Sequence, residues 1–302
     1  MKYSKLLTYT ALTASMYAAT ANAAFVPLPV GTVVLEDDNL EYVLTQSAND
    51  ENNDNVVNEF DYVIKVNGDL AVGDRLRSMI TFQTAGGGSL GAPGLEVTGI
   101  SEIEIVSIET TLFGPLITFK PSASFEAVYG TGAMASLYSQ ASGDWPVTTD
   151  ACSALGVAGC ETVSTNGELW LVAGIGDDDD YWTSTVTAVE GFNIDAVRAL
   201  GAGTSVGTAA YALTILENNT GYEFAQQELT GSFIQSPTAD DNLVDLIGSG
   251  QLQGGAGLTG PFFARSDFDF QLKRIPVPEP STLAIFGLGL LGMGFRARRI
   301  VE

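Results

Sequence analysis

Near its C-terminus this 302-residue chain places Pro278, Glu279 and Pro280 ahead of a short apolar run and then Arg296, Arg298 and Arg299. Prolines hold a backbone extended and non-helical, the form in which a processing enzyme can grip a peptide. The chemistry of that tripeptide is therefore that of a substrate. A second group is Asp177, Asp178, Asp179 and Asp180, in the stretch GIGDDDDYW. Four adjacent carboxylates repel one another, and Ca²⁺ in an oxygen-rich site would relieve that repulsion. The run lacks the spacing of an EF-hand loop, and the competing reading is a solvated hairpin tip between strands carrying Trp170 and Trp182. Ser47 to Asn55, SANDENNDN, admits the same two readings. A third group is GTSVG, which has the letters of a nucleophile elbow around Ser205. The chain contains no histidine to take the serine proton, so Ser205 is expected in a Gly-rich loop. GLGLLG, from Gly287 to Gly292, spells a dinucleotide fingerprint but sits inside the apolar run with no preceding strand. No catalytic residue is assigned, and an enzyme is not expected.

Both termini read as addresses. Lys2 and Lys5 precede a mostly apolar run, followed by Ala21-Asn22-Ala23, the order of a secretory signal peptide cut after Ala23. At the other end, Thr282 to Phe295 spans about 21 Å as a helix at ~1.5 Å per residue, against ~30 Å of bilayer hydrocarbon. Arg296, Arg298 and Arg299 can snorkel to the headgroups and stay cytoplasmic, which holds Pro278 to Pro280 at the opposite face of the membrane.

The tripeptide, the Gly- and Leu-rich segment and the basic cluster together resemble a PEP-CTERM sorting signal of Gram-negative bacteria, and Ser281 supplies the residue usual after the tripeptide. The resemblance implies recognition by an exosortase, a multi-pass transpeptidase-like membrane enzyme. It also implies removal of the tail and delivery of the body to the cell surface or extracellular matrix, after a transient stay in the inner membrane. Proteins with such tails are commonly associated with exopolysaccharide and biofilm. The expected partners are signal peptidase, exosortase and extracellular polysaccharide.

Charged residues make up 16% of the chain and sum to −23. Nucleic acid is excluded as a partner, because the body has no Lys/Arg cluster to displace counterions from phosphates. Polycations, divalent metals and neutral sugars remain. No cofactor is expected beyond possible Ca²⁺. Cys152 and Cys160 are the only cysteines and are expected to bridge in an oxidising compartment. Trp145, Trp170, Tyr181 and Trp182 offer either a sugar-stacking platform or core packing. Asn218-Asn219-Thr220 forms a sequon in a predicted turn.

The elements that must carry these residues are short strands. Phe60, Tyr62, Ile64 and Val66 share one face of an alternating run. Ile103 and Ile105 oppose Glu102 and Glu104, and Phe268, Phe270 and Leu272 line a final strand. Tyr211 to Leu229 reads as a hairpin turning at Asn218 to Gly221. Short helices are expected at Asn193 to Leu200 and Asp240 to Ile247, with loops at Gly86 to Gly94 and Gly248 to Gly260. The pattern predicts an all-β antiparallel sandwich or jelly roll in one domain at 24–275, between a signal peptide at 1–23 and a transmembrane sorting helix within 276–302. The function expected is that of an exported surface or matrix protein. The alternatives are a lectin-like module or a glycoside hydrolase or lyase working through carboxylates alone.

Overall fold

The computed structural model describes residues 26–276, apart from positions 52, 53, 55, 57, 59, 86, 87, 90–94, 113, 142–144, 146–148, 187–192 and 230–241. The expected signal peptide and sorting helix lie outside the described residues. The described residues form a single, mostly antiparallel β domain.

The strands are β1 (Gly31–Gln46), β2 (Tyr62–Lys65), β3 (Arg75–Ala85), β4 (Gly88–Ser89), β5 (Glu96–Thr111), β6 (Gly114–Pro121), β7 (Ala133–Gln140), β8 (Glu168–Gly174), β9 (Tyr181–Val186), β10 (Ser205–Asn218), β11 (Gln227–Glu228), β12 (Leu243–Val244), β13 (Leu246–Gly254) and β14 (Ala264–Arg274). Four short helices interrupt them: α1 (Ala123–Tyr129), α2 (Thr149–Ser153), α3 (Gly156–Thr165) and α4 (Ile194–Ala199).

A 12-stranded sheet holds all of these strands except β11 and β12, and its ladder closes on itself through the β3–β5 pairing. Along β5, β6 pairs residues 103–111 and β7 pairs residues 96–101, so these two strands run end to end. Along β10, β9 pairs residues 207–212 and β8 pairs residues 214–218, again end to end. The two composite strands pair with each other through β6–β9 and β7–β8. Twelve strands, less the side strands β2 and β4 and less one for each composite, leave eight. These follow the chain around the ring as an up-and-down barrel, and β14 returns to pair with β1 from Gly31↔Arg274 to Glu41↔Ala264. The expected two-sheet sandwich is thus replaced by one continuous wall. Alternation could not tell the two apart, because both bury every second residue. Closure removes the bare edges a sandwich would carry.

The lumen is packed. Val33 and Leu35 of β1, Ile80 and Phe82 of β3, Ile103 and Ile105 of β5, Trp170 and Leu171 of β8, Tyr211 of β10 and Phe270 and Leu272 of β14 belong to one buried cluster. The Tyr211 ring meets Trp182 at 4.6 Å and Phe270 at 5.2 Å between centroids, a spacing that favours tilted and edge contacts. One end is plugged by α4, whose Asn193 cap accepts from Ala196 N at 3.0 Å and whose Ile194 and Val197 point into the core. At the other end Val26 and Leu28 enter the core beside Tyr222. The Tyr222 hydroxyl donates to Val26 O at 3.0 Å, and its ring lies 4.0 Å below the Arg274 guanidinium.

Outside the wall, α2 and α3 cover Leu40, Tyr42 and Met79, while α1 packs Phe125 against Ile100, Tyr138 and Val172. Helix α1 occupies the excursion between β6 and β7, and the Asp177–Asp180 loop occupies the matching one between β8 and β9.

Several expected elements differ. Of the helix expected at Asp240 to Ile247, Asp240 and Asp241 lie outside the described residues and the rest enters β12 and β13 instead, and the expected loop from Gly248 onward begins as β13, which runs to Gly254. Here pairing with β10 and β14 overrides a helical apolar spacing. The chain does turn after Asn218, but no hairpin forms. Ala225 N bonds Lys273 O, and β11 pairs β12. The face Phe60–Ile64–Val66 is exposed rather than buried, because β2 flanks only the end of β1. The helix at Asn193 to Leu200 and the inward row Phe268, Phe270 and Leu272 form as expected.

Candidate functional site

Residues Ile175 to Asp180 leave the wall between Gly174, opposite Thr214, and Tyr181, opposite Ala212. The four aspartates therefore occupy a bulge between two collinear strands instead of a hairpin tip. Ligand oxygens of Asp177, Asp179 and Asp180 lie within 4.8 Å of one another, and Asp178 points outward. Asp180 accepts from Gly176 N at 2.6 Å and Asp177 N at 3.2 Å. Burial pushes its carboxyl up to about 6, with those N–H groups pulling the other way. Three carboxylates supply about half of the six to eight oxygens Ca²⁺ takes.

The Ser47 to Asn55 run continues further than its acidic letters suggest. Counted from Asp50, the residues Asp50, Asn52, Asp54, Val56, Asn58 and Asp61 fall at the ligand positions of a 12-residue Ca²⁺ loop, with Asp in place of the final Glu and Asn55 in place of the glycine. Asp50 accepts from Asp54 N at 3.0 Å, and the fully buried Asp61 accepts from Glu51 N at 2.7 Å and Asn58 N at 2.8 Å. The spacing is legible in the sequence only when the count runs past Asn55 to Asp61. Asn52 and Asn55 lie outside the described residues.

A groove of about 480 Å³ opens on the outer face of β3, β5 and β6, lined by Gln46, Tyr62, Arg75, Glu104, Lys120 and Glu126 among others. Register builds its charge pattern by setting Arg75 opposite Glu104 and Arg77 opposite Glu102. Glu104 pairs with Arg75 at 3.2 Å and with Lys120 at 2.9 Å, and the Arg75 guanidinium stacks 3.6 Å over the Tyr62 ring. Glu102, fully buried beneath, contacts Arg77, Ser122 and Ser124. Burial alone would raise its carboxyl, but Arg77, the two seryl hydroxyls and Arg75 hold it below the usual range. Alternation sets Glu102 and Glu104 opposite Ile103 and Ile105 but does not reveal this network, since cross-strand register is not written in local alternation.

The aromatic platform does not form. Trp170 and Trp182 are core residues, Trp145 packs beside the disulfide cluster, and Tyr181 is half-buried against Ala212 and its neighbours. Ser205 opens β10 and is exposed, with no elbow around it. The Asn218 amide bonds Tyr222 O at 2.9 Å and accepts from the Thr220 hydroxyl, so the sequon side chain is already engaged. Cys152 and Cys160 are joined, tying α2 to α3 in the outer core. Ala21, Ala23, Pro278, Glu279, Pro280, Arg296, Arg298 and Arg299 lie outside the described residues.

Strand β14 ends at Arg274, opposite Gly31 of β1. The first wall strand therefore begins beside the point where the last one ends. From that end onward, residues 276–299 match the family model of the PEP-CTERM protein-sorting motif. The tail is a PEP-CTERM sorting motif. The matched span includes Pro278 to Pro280 and all three tail arginines, consistent with an exosortase substrate. The PEP-CTERM motif implies export and targeting to the cell surface. No curated protein and no solved structure matches the chain. Among the described residues no helix is long and apolar enough to cross a membrane.

Proposed function

We propose that the protein is a non-enzymatic component of the cell surface or extracellular matrix, its barrel delivered intact after signal peptidase and exosortase remove the two ends. The observation that carries this reading is the PEP-CTERM motif at 276–299, directly after the last wall strand. A closed wall and the strong acidic excess of the chain, −23 over its full length, favour a body that stays dispersed in water once cut free. The lack of any histidine, and of any base for Ser205, favours a binding over a catalytic role. Deleting the exosortase gene tests this reading. The protein should then remain in the membrane fraction with its tail, and normal appearance at the surface would contradict it.

A second reading rests on the groove. Its size lies in the range of ligand sites, and its Tyr62, Arg75, Glu104 and Gln46 side chains offer the stacking face and paired polar groups that sugar hydroxyls need. On this reading the protein binds matrix polysaccharide through the groove. A pull-down on the host's own exopolysaccharide should retain the secreted protein and lose it with Tyr62→Ala. Equal retention of both would remove the groove from consideration.

A further inference from the structure

The last strand of the wall is held on both sides up to its final residue. On one side β1 pairs Thr32 with Lys273 and Gly31 with Arg274. On the other side β13 begins its pairing at Leu246, opposite Leu272, and residues 223–225 continue the ladder from there. Ala225 N donates to Lys273 O at 2.8 Å, Ile275 N donates to Glu223 O at 3.0 Å, and Phe224 faces Arg274 across an antiparallel bridge. The Phe224 side chain packs on the lumenal core.

Side chains tie the same place together. The Arg274 guanidinium lies 4.0 Å from the centre of the Tyr222 ring and donates to Leu28 O. The Tyr222 hydroxyl in turn donates to Val26 O at 3.0 Å. The segment ahead of β1, residues 222–225 and the end of β14 thus form one knot. Arg274 Nε is buried in it without an acceptor, a desolvation cost that release of the strand end would recover.

The sorting motif starts immediately beyond this knot. Ile275 is still bonded to the barrel, and Pro278 follows three residues later, at most ~11 Å away in an extended chain. An enzyme that cuts a peptide holds it extended for several residues on both sides of the scissile bond, often through the same backbone groups that a sheet uses. For a cut at the tripeptide, the upstream part of that stretch reaches back to Arg274 and Ile275. Gly31 and residues 223–225 already occupy those groups, so the folded barrel and the enzyme compete for the same backbone.

We propose that residues 222–225, with Arg274, are a clamp that meters removal of the tail: the exosortase cuts from a minor state in which the end of β14 has peeled away from Phe224 and Gly31. The clamp rests on the reading of the tail as an exosortase substrate. Trimming then follows the population of the open state, as cleavage of a transiently opened segment does when reclosing is fast. Peeling a strand end costs far less than unfolding the barrel, because fraying ends lie at the low end of local stability. A folded barrel therefore stays tethered longer than an unfolded chain.

The test is a pulse-chase of the full-length protein in its host, read as the half-life for conversion of the precursor to the tail-less form. Inserting about six Gly/Ser residues between Pro276 and Val277 supplies free, flexible backbone ahead of the tripeptide. It should shorten the half-life by about five-fold with Tm unchanged. Phe224→Ala should shorten it by about five-fold as well, the shift in open population that a modest loss of packing produces. In the chain carrying both changes, Phe224→Ala should add nothing, because the enzyme no longer waits for the strand to peel. An insert that leaves the half-life unchanged would overturn the clamp, as would equal acceleration by Phe224→Ala with and without the insert. If Phe224→Ala does not fold, Arg274→Gln removes only the guanidinium contacts and should show the same dependence on the insert. Cells lacking the exosortase keep the two claims apart. Trimming there would overturn the exosortase reading and the clamp with it, whereas an intact precursor there, with a half-life insensitive to the insert in the parent strain, would overturn the clamp alone.

Discussion

Glu102 shows how much one side chain can carry when register places it. Alternation along β5 puts it on the outer face, and α1 with its Ser122 cap then seals that face over it. Glu102→Gln removes the charge that faces Arg75 and Arg77 and should destabilise the fold by about 3 kcal/mol at neutral pH, the cost of breaking a buried pair. Because its carboxyl is held below the usual range, the stability it contributes is present above the unfolded value and is lost as pH falls through the folded one. Urea unfolding of parent and variant should therefore differ widely at pH 7 and converge as the pH falls below the ordinary carboxylate range. Arg77 also pairs with Glu161 of α3 at 2.8 Å, and equal stabilities at pH 7 would show that Arg75 and Arg77 are satisfied by Glu104 and Glu161 alone.

At the level of elements, Gly248 of β13 is the tightest test of the lumen. A methyl group there would fall 1.9 Å from the Tyr211 ring, which is fully buried among Trp182, Phe268 and Phe270 and cannot swing away. Gly248→Ala should cost about 1–3 kcal/mol in chemical denaturation, the usual penalty for overpacking. A neutral effect would mean the lumen is looser than the packed ring cluster described above. The α2–α3 link is a separate case. Replacing Cys152 and Cys160 by alanine opens a short loop, which should lower stability by about 2–3 kcal/mol and leave the barrel's near-ultraviolet signature intact. These two elements also mark what the sequence could and could not reveal. Phe268, Phe270 and Leu272 announce β14 by strict alternation, and Asn193 announces α4 by its cap. Leu243, Val244, Leu246 and Ile247 instead carry helical spacing, and only the neighbours β10 and β14 draw part of that stretch into a strand. Trp170 and Trp182 could have been a platform or a core, and the choice was made by closure of the wall, which local pattern does not record.

For the whole molecule the decisive features are the closed ring and the place where its ends emerge. Gly31 and Arg274 are paired, so the first wall strand begins and the last wall strand ends at the same end of the barrel, two residues before the PEP-CTERM motif starts. Removing the expected signal peptide and that motif should leave the melting temperature of the 24–275 body within about 2 °C of the uncut chain's, as expected for segments without a place in the core. The tail was legible from the outset because its signal is a tripeptide, a length and a charge cluster that do not depend on folding. The barrel was not, because closure depends on which strands meet. The central claim is that an exosortase cuts at this tail and sets the barrel free of the membrane. Intact mass of the protein from the cell surface and medium, compared between the parent strain and one lacking the exosortase, tests it most directly. The account predicts a parent-strain mass lacking both the signal peptide and the apolar-arginine segment, and a mutant in which that species is absent. The same trimmed mass in both strains would contradict it.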